Sequence, residues 1–141
     1  RGEKHLRTAN ARWGLATALL ELDRAAEAIP LLESALPIQL AEAGLGSDDL
    51  SFTQLSLARS YLAVNQPARA VEHALACQKY FDTYQDPGDR GLSRLVLARA
   101  LHGVGREPAR VTALAQQARV DLAAAKKPGA VAEADRLVKT P

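Results

Sequence analysis

The chain contains an internal repeat. A six-residue pattern that begins with leucine and alanine occurs three times, at residues 15–20, 57–62 and 97–102, with spacings of 42 and 40 residues. Each copy is followed by a turn residue and then by a second apolar segment; the turns are centred on Asp23, Asn65 and Gly105. A fixed period of this length indicates stacked supersecondary units that bury a shared core.

Composition indicates that the repeating units are helical. Alanine makes up about one residue in five, leucine dominates the larger apolar residues, and aromatic residues are 4% of the chain. Alanine and leucine lose least on entering a helix, whereas strands favour β-branched and aromatic residues. The sequence therefore predicts an all-α fold built from helical hairpins.

Turn and cap signals divide the chain into seven helical segments. These are predicted at about residues 3–22, 25–43, 48–64, 67–84, 87–103, 107–125 and 129–139. The second segment contains Pro30 and Pro37, each of which removes a backbone donor, so we expect a kink or a short split-off end there. The short turns indicate antiparallel neighbours.

We interpret residues 1–141 as one domain, with repeats at about 9–44, 50–85 and 90–125 and a terminal helix. The chain starts with Arg1 and has no methionine, which predicts a fragment of a longer protein. The third unit has Arg110 where the second has Ala70, so its register is uncertain by one residue.

The pattern resembles the tetratricopeptide repeat (TPR). In the second helix of each of the first two hairpins, small residues lie seven positions apart, as Ala28 with Ala35 and Ala70 with Cys77. Tyr61 occupies the position that is usually aromatic in this repeat. The 40–42-residue period is similar to the longer form found in kinesin light chains. The resemblance implies a right-handed superhelix of about three antiparallel hairpins plus a C-terminal helix, acting in protein–protein interaction.

The resemblance covers about residues 9–125, with two clear units and a degenerate third. Arg12 stands at the common tryptophan place, one position before Trp13, and Leu40 replaces the usual proline. Residues 103–141 also resemble the C-terminal helical repeats of some bacterial serine/threonine protein kinases and large signalling regulators.

Charge and hydropathy argue against nucleic-acid binding and against a membrane-spanning segment. The net charge is only +2, and the sequence has no Lys/Arg-rich run of the kind that binds a phosphate backbone. A nucleic-acid partner is therefore not expected. No apolar run approaches the ~20 residues of a membrane span. Charged residues are all acidic from 25 to 58 and mostly basic from 90 to 127. This asymmetry favours charged protein partners or end-to-end stacking; the alternative is ordinary solvated charge.

Candidate catalytic residues have simpler explanations. His73 and Cys77 lie four apart on one helix, but Cys77 occupies a small-residue core place. His5 and His102 have no companions at metal-ligand spacing. We therefore predict no enzyme activity, no cofactor and no metal site.

The resemblance also implies which residues line the concave groove, because the first helices of TPR hairpins face it. The matching places are occupied by Asn10, Trp13, Thr17, Leu20, Leu55, Arg59, Leu62, Leu95, Arg99 and His102. Arg59 and Arg99 should stand in a row and bind carboxylates, with Trp13 as an apolar anchor. Alternatively, Trp13 packs on a preceding repeat and both arginines are only solvated.

Two functional hypotheses follow. The first is a cytoplasmic module that binds a peptide or partner protein, with acidic character favoured, through the groove. The second is a scaffold or regulatory region of a larger kinase or regulator, including self-association through its acidic and basic ends.

Overall fold

The computed structural model describes residues 2–139, with side chains from residue 4. Seven α-helices and no strand are present in this range: α1 (Gly2–Glu21), α2 (Ala25–Ala43), α3 (Asp48–Ala63), α4 (Pro67–Asp82), α5 (Pro87–Gly103), α6 (Pro108–Ala124) and α7 (Pro128–Lys139). All seven predicted helices are confirmed, with ends within two residues. No helix in the described range has the length and apolar character needed to cross a membrane.

Of the two alternatives predicted for α2, a kink or a split-off end, the split-off end is wrong. α2 continues through Pro30 and Pro37 as one helix of 19 residues. Both prolines lie on its exposed side. A backbone donor missing on that side leaves carbonyl groups that solvent can satisfy, so the helix need not end there.

The same turn closes each hairpin. Asp23, Asn65 and Gly105 have φ of 62°, 60° and 68°. In each case the next residue donates its backbone N–H to a carbonyl five residues earlier, as Arg24 does to Leu19 over 2.8 Å. This is the hydrogen bond of a Schellman-type helix end, which satisfies a carbonyl that the helix leaves free. Lys126, with φ of 59°, forms the same turn between α6 and α7.

The helices form a curved stack. The hairpins are α1–α2, α3–α4 and α5–α6, and each second helix also packs on the first helix that follows it. First helices contact one another, α1 with α3, α3 with α5 and α5 with α7, whereas α2, α4 and α6 make no mutual contacts among the described residues. The side on which helices are closer together is the inner side of the curve. α7 therefore occupies the place of a fourth first helix.

Small residues make this close packing possible. Ala16, Ala58 and Ala98 are all fully buried at equivalent places in α1, α3 and α5. In the third hairpin, Val111 and Ala118 are buried where Ala70 and Cys77 lie in the second. The register of the third unit is thus shifted by one residue, and Arg110 is left at the surface, where it donates to Gln78.

Candidate peptide-binding groove

The inner surface of the stack, formed by α1, α3, α5 and α7, is hereafter called the groove. Along α1 the predicted groove residues are held by neighbouring helices. Trp13 Nε1 donates to Ser56 Oγ over 3.1 Å, and its ring meets Phe52 edge-on at a centroid distance of 6.1 Å. Trp13 therefore packs against α3, the following first helix.

Asn10 links three helices. It donates to Asp49 Oδ2 over 3.2 Å and accepts from Gln39 Nε2 over 3.1 Å. Thr17 donates to the Trp13 carbonyl at 2.9 Å, and both Thr17 and Leu20 are half-buried. At this end of the groove the polar groups of Asn10, Trp13 and Thr17 already have partners within the protein.

Leu55 and Leu95 lie beneath the groove surface. They are 3% and 2% exposed and occupy the places of α3 and α5 that correspond to Trp13 in α1. Because so little of either side chain reaches solvent, both belong to the hydrophobic core and add little to the groove surface. Leu62, half-buried on α3, offers more apolar surface.

Arg59 is the basic residue at the centre of the groove. Its side chain is half-buried, and burial lowers the pKa of its guanidinium, while the charge of Glu21 on α1 acts in the opposite direction. Among the described residues it has no carboxylate within ion-pair distance. Its charge is therefore partly desolvated and only weakly compensated.

Arg99 occupies the equivalent place on α5 and faces α7. Its side chain is 45% exposed, and its Nη1 lies 3.8 Å from Glu133 Oε2. Arg99, Glu133, Arg136 and Leu137 line an open pocket of about 270 Å³. His102, one helical turn beyond Arg99, is exposed.

The contribution of α7 to this pocket was not predicted from the sequence, because α7 was interpreted only as a terminal helix. The sequence does contain features that indicate a further first helix at this place. The turn at 126–127 is as short as those inside the hairpins, and Ala134 and Leu137 repeat the apolar spacing of a buried face.

Comparison with known proteins identifies the repeat. A family model of the tetratricopeptide repeat matches residues 7–79, slightly more than half of the chain. The chain belongs to the tetratricopeptide repeat family. A comparison with curated proteins found no match.

A solved structure supports the same TPR fold along the remaining helices. It is a Podosopora anserina chain that carries the name kinesin light chain, with nearly identical TPR-like repeats. The two chains are 23% identical with a TM-score of 0.73, and the match covers 94% of this chain and 67% of that one. At this identity the likeness concerns the fold alone, and it extends the TPR stack beyond residue 79.

The His73–Cys77 pair has a structural place in the TPR core. Cys77 is fully buried, and burial raises the pKa of its thiol to about 12, so the reactive thiolate is disfavoured. The His73 ring instead stacks on Tyr61 at 5.6 Å, with Nε2 3.9 Å from Glu33 Oε1. Tyr61 donates to the same Glu33 oxygen at 2.6 Å. These contacts join α2, α3 and α4.

Proposed function

We propose that this TPR domain binds an acidic peptide segment, or an acidic surface of a partner protein, in the groove. The observation that supports this most strongly is the arrangement of Arg59 and Arg99. They stand at equivalent places on α3 and α5, two first helices in direct contact. Two guanidinium groups in register can each take a carboxylate of an extended segment, with bidentate geometry.

Neither arginine is strongly neutralised within the protein. The Arg99–Glu133 pair is solvent-exposed and 3.8 Å long, and a pair of this kind contributes ~0–1 kcal/mol. A partner carboxylate can replace Glu133 at little cost. For Arg59, burial disfavours the charged guanidinium. A partner carboxylate placed beside it would stabilise that charge and offset the loss of hydration.

Apolar contacts would come from Leu62 and from Leu137, which lies in the pocket beside Arg99. The preferred ligand would therefore combine acidic residues with an apolar side chain. The resemblance of residues 103–141 to repeats of bacterial kinases and signalling regulators supports a cytoplasmic signalling protein as the setting. We assign no catalytic step to this domain.

The test uses a synthetic peptide library in which each peptide carries glutamate and leucine, paired with versions in which glutamine replaces glutamate. Binding is measured by fluorescence anisotropy. We expect glutamate peptides to bind at least ten-fold more tightly than their glutamine counterparts. The Arg59→Glu/Arg99→Glu variant should lose that preference while retaining native helicity.

The matched control is Arg24→Glu/Arg106→Glu. Both of these arginines are exposed, at the α1–α2 and α5–α6 turns. Arg24 forms an ion pair with Glu27, and Arg106 forms one with Glu107. This variant has the same net charge as the groove variant. If both variants lose binding equally, the effect is one of overall charge, and the groove assignment is wrong.

A further inference from the structure

The aromatic side chains of this chain are concentrated in one cluster. Five of the six Phe, Trp and Tyr residues contact one another. Phe52 on α3 lies at the centre, and the rings of Trp13, Tyr80, Phe81 and Tyr84 meet it edge-on at centroid distances of 5.1 to 6.4 Å. Phe81 is fully buried, whereas Tyr80 and Tyr84 are half-buried. The two tyrosines therefore bring the cluster to the surface at the end of α4.

An open pocket of about 480 Å³ lies in the α4–α5 turn and is lined by Tyr80, Thr83, Tyr84, Gln85 and Asp86. We call it the tyrosine pocket. Its two tyrosine rings have centroids 5.4 Å apart. The Tyr80 hydroxyl donates to Asp48 Oδ1 over 2.6 Å, and the Tyr84 carbonyl accepts from Arg90 over 2.8 Å. Because these contacts already hold both tyrosines, a ligand would order little of the protein on binding.

The acidic groups at the tyrosine pocket favour a cationic ligand. Asp86 is the charged residue of its lining, and no cation in the described part of the chain lies within ion-pair distance of it. Asp86 Oδ2 accepts from the N–H of Asp89 over 3.2 Å. A second carboxylate, Asp48, lies at the hydroxyl of Tyr80. Tyrosine rings add the negative potential of their faces, which attracts cations.

The basic residues of the same region do not line this pocket. Arg90 and Arg94 both donate to Asp121, at 2.8 and 2.7 Å. Two other pockets each share one lining residue with the tyrosine pocket, and they contain Lys79 and Lys127 respectively. The charge of Lys127 acts on Asp89. The tyrosine pocket itself thus keeps its acidic and aromatic character.

We propose that the tyrosine pocket binds an arginine side chain of a partner protein. A guanidinium is planar and weakly hydrated, so it can stack on the tyrosine rings while it pairs with Asp86. The chain contains one contact of this kind within itself: Arg69 Cζ lies 5.0 Å from the centroid of the Tyr61 ring. This interaction is opposite in charge to the one proposed for the groove.

A neighbouring pocket of about 510 Å³ indicates what accompanies the arginine. It shares Tyr80 with the tyrosine pocket, and Leu45 and Ala76 give it apolar surface. Leu45 is 85% exposed. A segment that crosses Tyr80 can place arginine in one pocket and an apolar side chain in the other. Arg59 lies seven residues after Phe52 on α3, about 10 Å along the helix, so this surface is separate from the arginine pair of the groove.

The test is fluorescence anisotropy with the whole chain and a library of peptides that carry arginine and leucine. Each peptide has a counterpart in which citrulline, a neutral analogue, replaces arginine. Wild type should bind the arginine peptides about ten-fold more tightly than the citrulline peptides. Tyr84→Leu removes a ring and should weaken binding about five-fold or more, whereas Tyr84→Phe keeps the ring and should bind like wild type.

Two charge-matched variants test the role of Asp86. Asp86→Asn removes the negative charge but keeps a side chain that can cap α5, and it should weaken binding about three-fold or more. Asp23→Asn removes the same charge at an exposed turn, where asparagine tolerates the φ of 62°, and it should bind like wild type. Equal losses in these two variants overturn the proposal, because the effect is then one of overall charge.

Three further results would also overturn it: no binding of the arginine peptides, equal binding of arginine and citrulline peptides, or unchanged binding by Tyr84→Leu. The groove is tested separately. Arg59→Glu/Arg99→Glu should retain the binding of arginine peptides, and Asp86→Asn should retain the binding of glutamate peptides. Either of the two proposals can therefore fail without the other.

Discussion

Arg94 and Asp121 form an ion pair between α5 and α6 in the interior of the stack. Arg94 Nη1 donates to Asp121 Oδ2 over 2.7 Å, and the two side chains are 18% and 8% exposed. Asp121 Oδ1 accepts from Nε and Nη2 of Arg90 at 3.1 and 2.8 Å. Arg90 also donates to the carbonyl of Tyr84, next to the end of α4. One carboxylate thus fixes the junction of two hairpins.

Replacing Asp121 with asparagine should destabilise the domain strongly. The change removes the negative charge that compensates the guanidinium of Arg94 in the interior, and breaking a buried ion pair from one side costs ~3–5 kcal/mol. Arg94 would keep only Asp82, 3.5 Å away and more exposed. Urea denaturation followed by circular dichroism should show a much lower midpoint.

The control for this prediction is Asp135→Asn. Asp135 accepts from Arg119 Nε at 2.5 Å, but both side chains are more exposed, at 37% and 54%. Exposed pairs contribute ~0–1 kcal/mol, so this variant should unfold close to wild type. Equal losses for the two variants would mean that burial does not determine the contribution of Asp121.

Gly91 is a position in α5 where the partner helix of the same hairpin, α6, approaches closely. A Cβ atom built there would lie 2.8 Å from Asp121 Cβ and 2.8 Å from Leu122 Cγ. Gly91→Ala should therefore force α5 and α6 apart and cost ~1–3 kcal/mol, despite the better helix propensity of alanine. Gly129→Ala in α7 meets nothing within 4 Å and should be neutral or stabilising by up to ~1 kcal/mol. A Gly91→Ala variant as stable as wild type would contradict this account.

The repeat, the helices and their pairing could be predicted because each is encoded locally. Leucine–alanine pairs, capping residues such as Ser47 and left-handed turn residues such as Asn65 act within one or two helical turns. Ser47 Oγ indeed accepts from the N–H of Leu50 at 3.3 Å. The register of the third hairpin was harder to predict from the sequence, because Val111 replaces the small residue that marks this place in the other hairpins.

The candidate groove was harder to predict because it depends on contacts between hairpins. Trp13 and Leu55 occupy the same place in the repeat, yet one donates a hydrogen bond to α3 and the other is buried. Glu133 and Leu137 belong to a helix that carries no complete repeat pattern. The partners of Arg94 likewise come from α4 and α6, and no spacing rule relates the three helices.

The stability of the domain should fall as the pH is lowered through the titration of His73. Burial lowers the pKa of this imidazole below its ordinary 6.5; Glu33 and Glu72 raise it by a smaller amount, and Arg69 lowers it. The unfolded chain therefore binds a proton at a pH where folded His73 does not. The stabilisation is complete above pH ~6.5 and is lost as the pH falls toward the lower, folded-state pKa.

The measurement is the urea midpoint at several pH values between 8 and 5, for wild type and for His73→Phe. In the wild type the Tyr61 and His73 rings are stacked with an interplanar angle of 4°. Phenylalanine keeps a ring at this place but cannot bind a proton. The variant should lose less stability than wild type on acidification, since one source of proton uptake on unfolding is gone. His102→Phe, at an exposed position, should follow wild type. If His73→Phe also follows wild type at every pH, the burial of His73 does not govern the acid response.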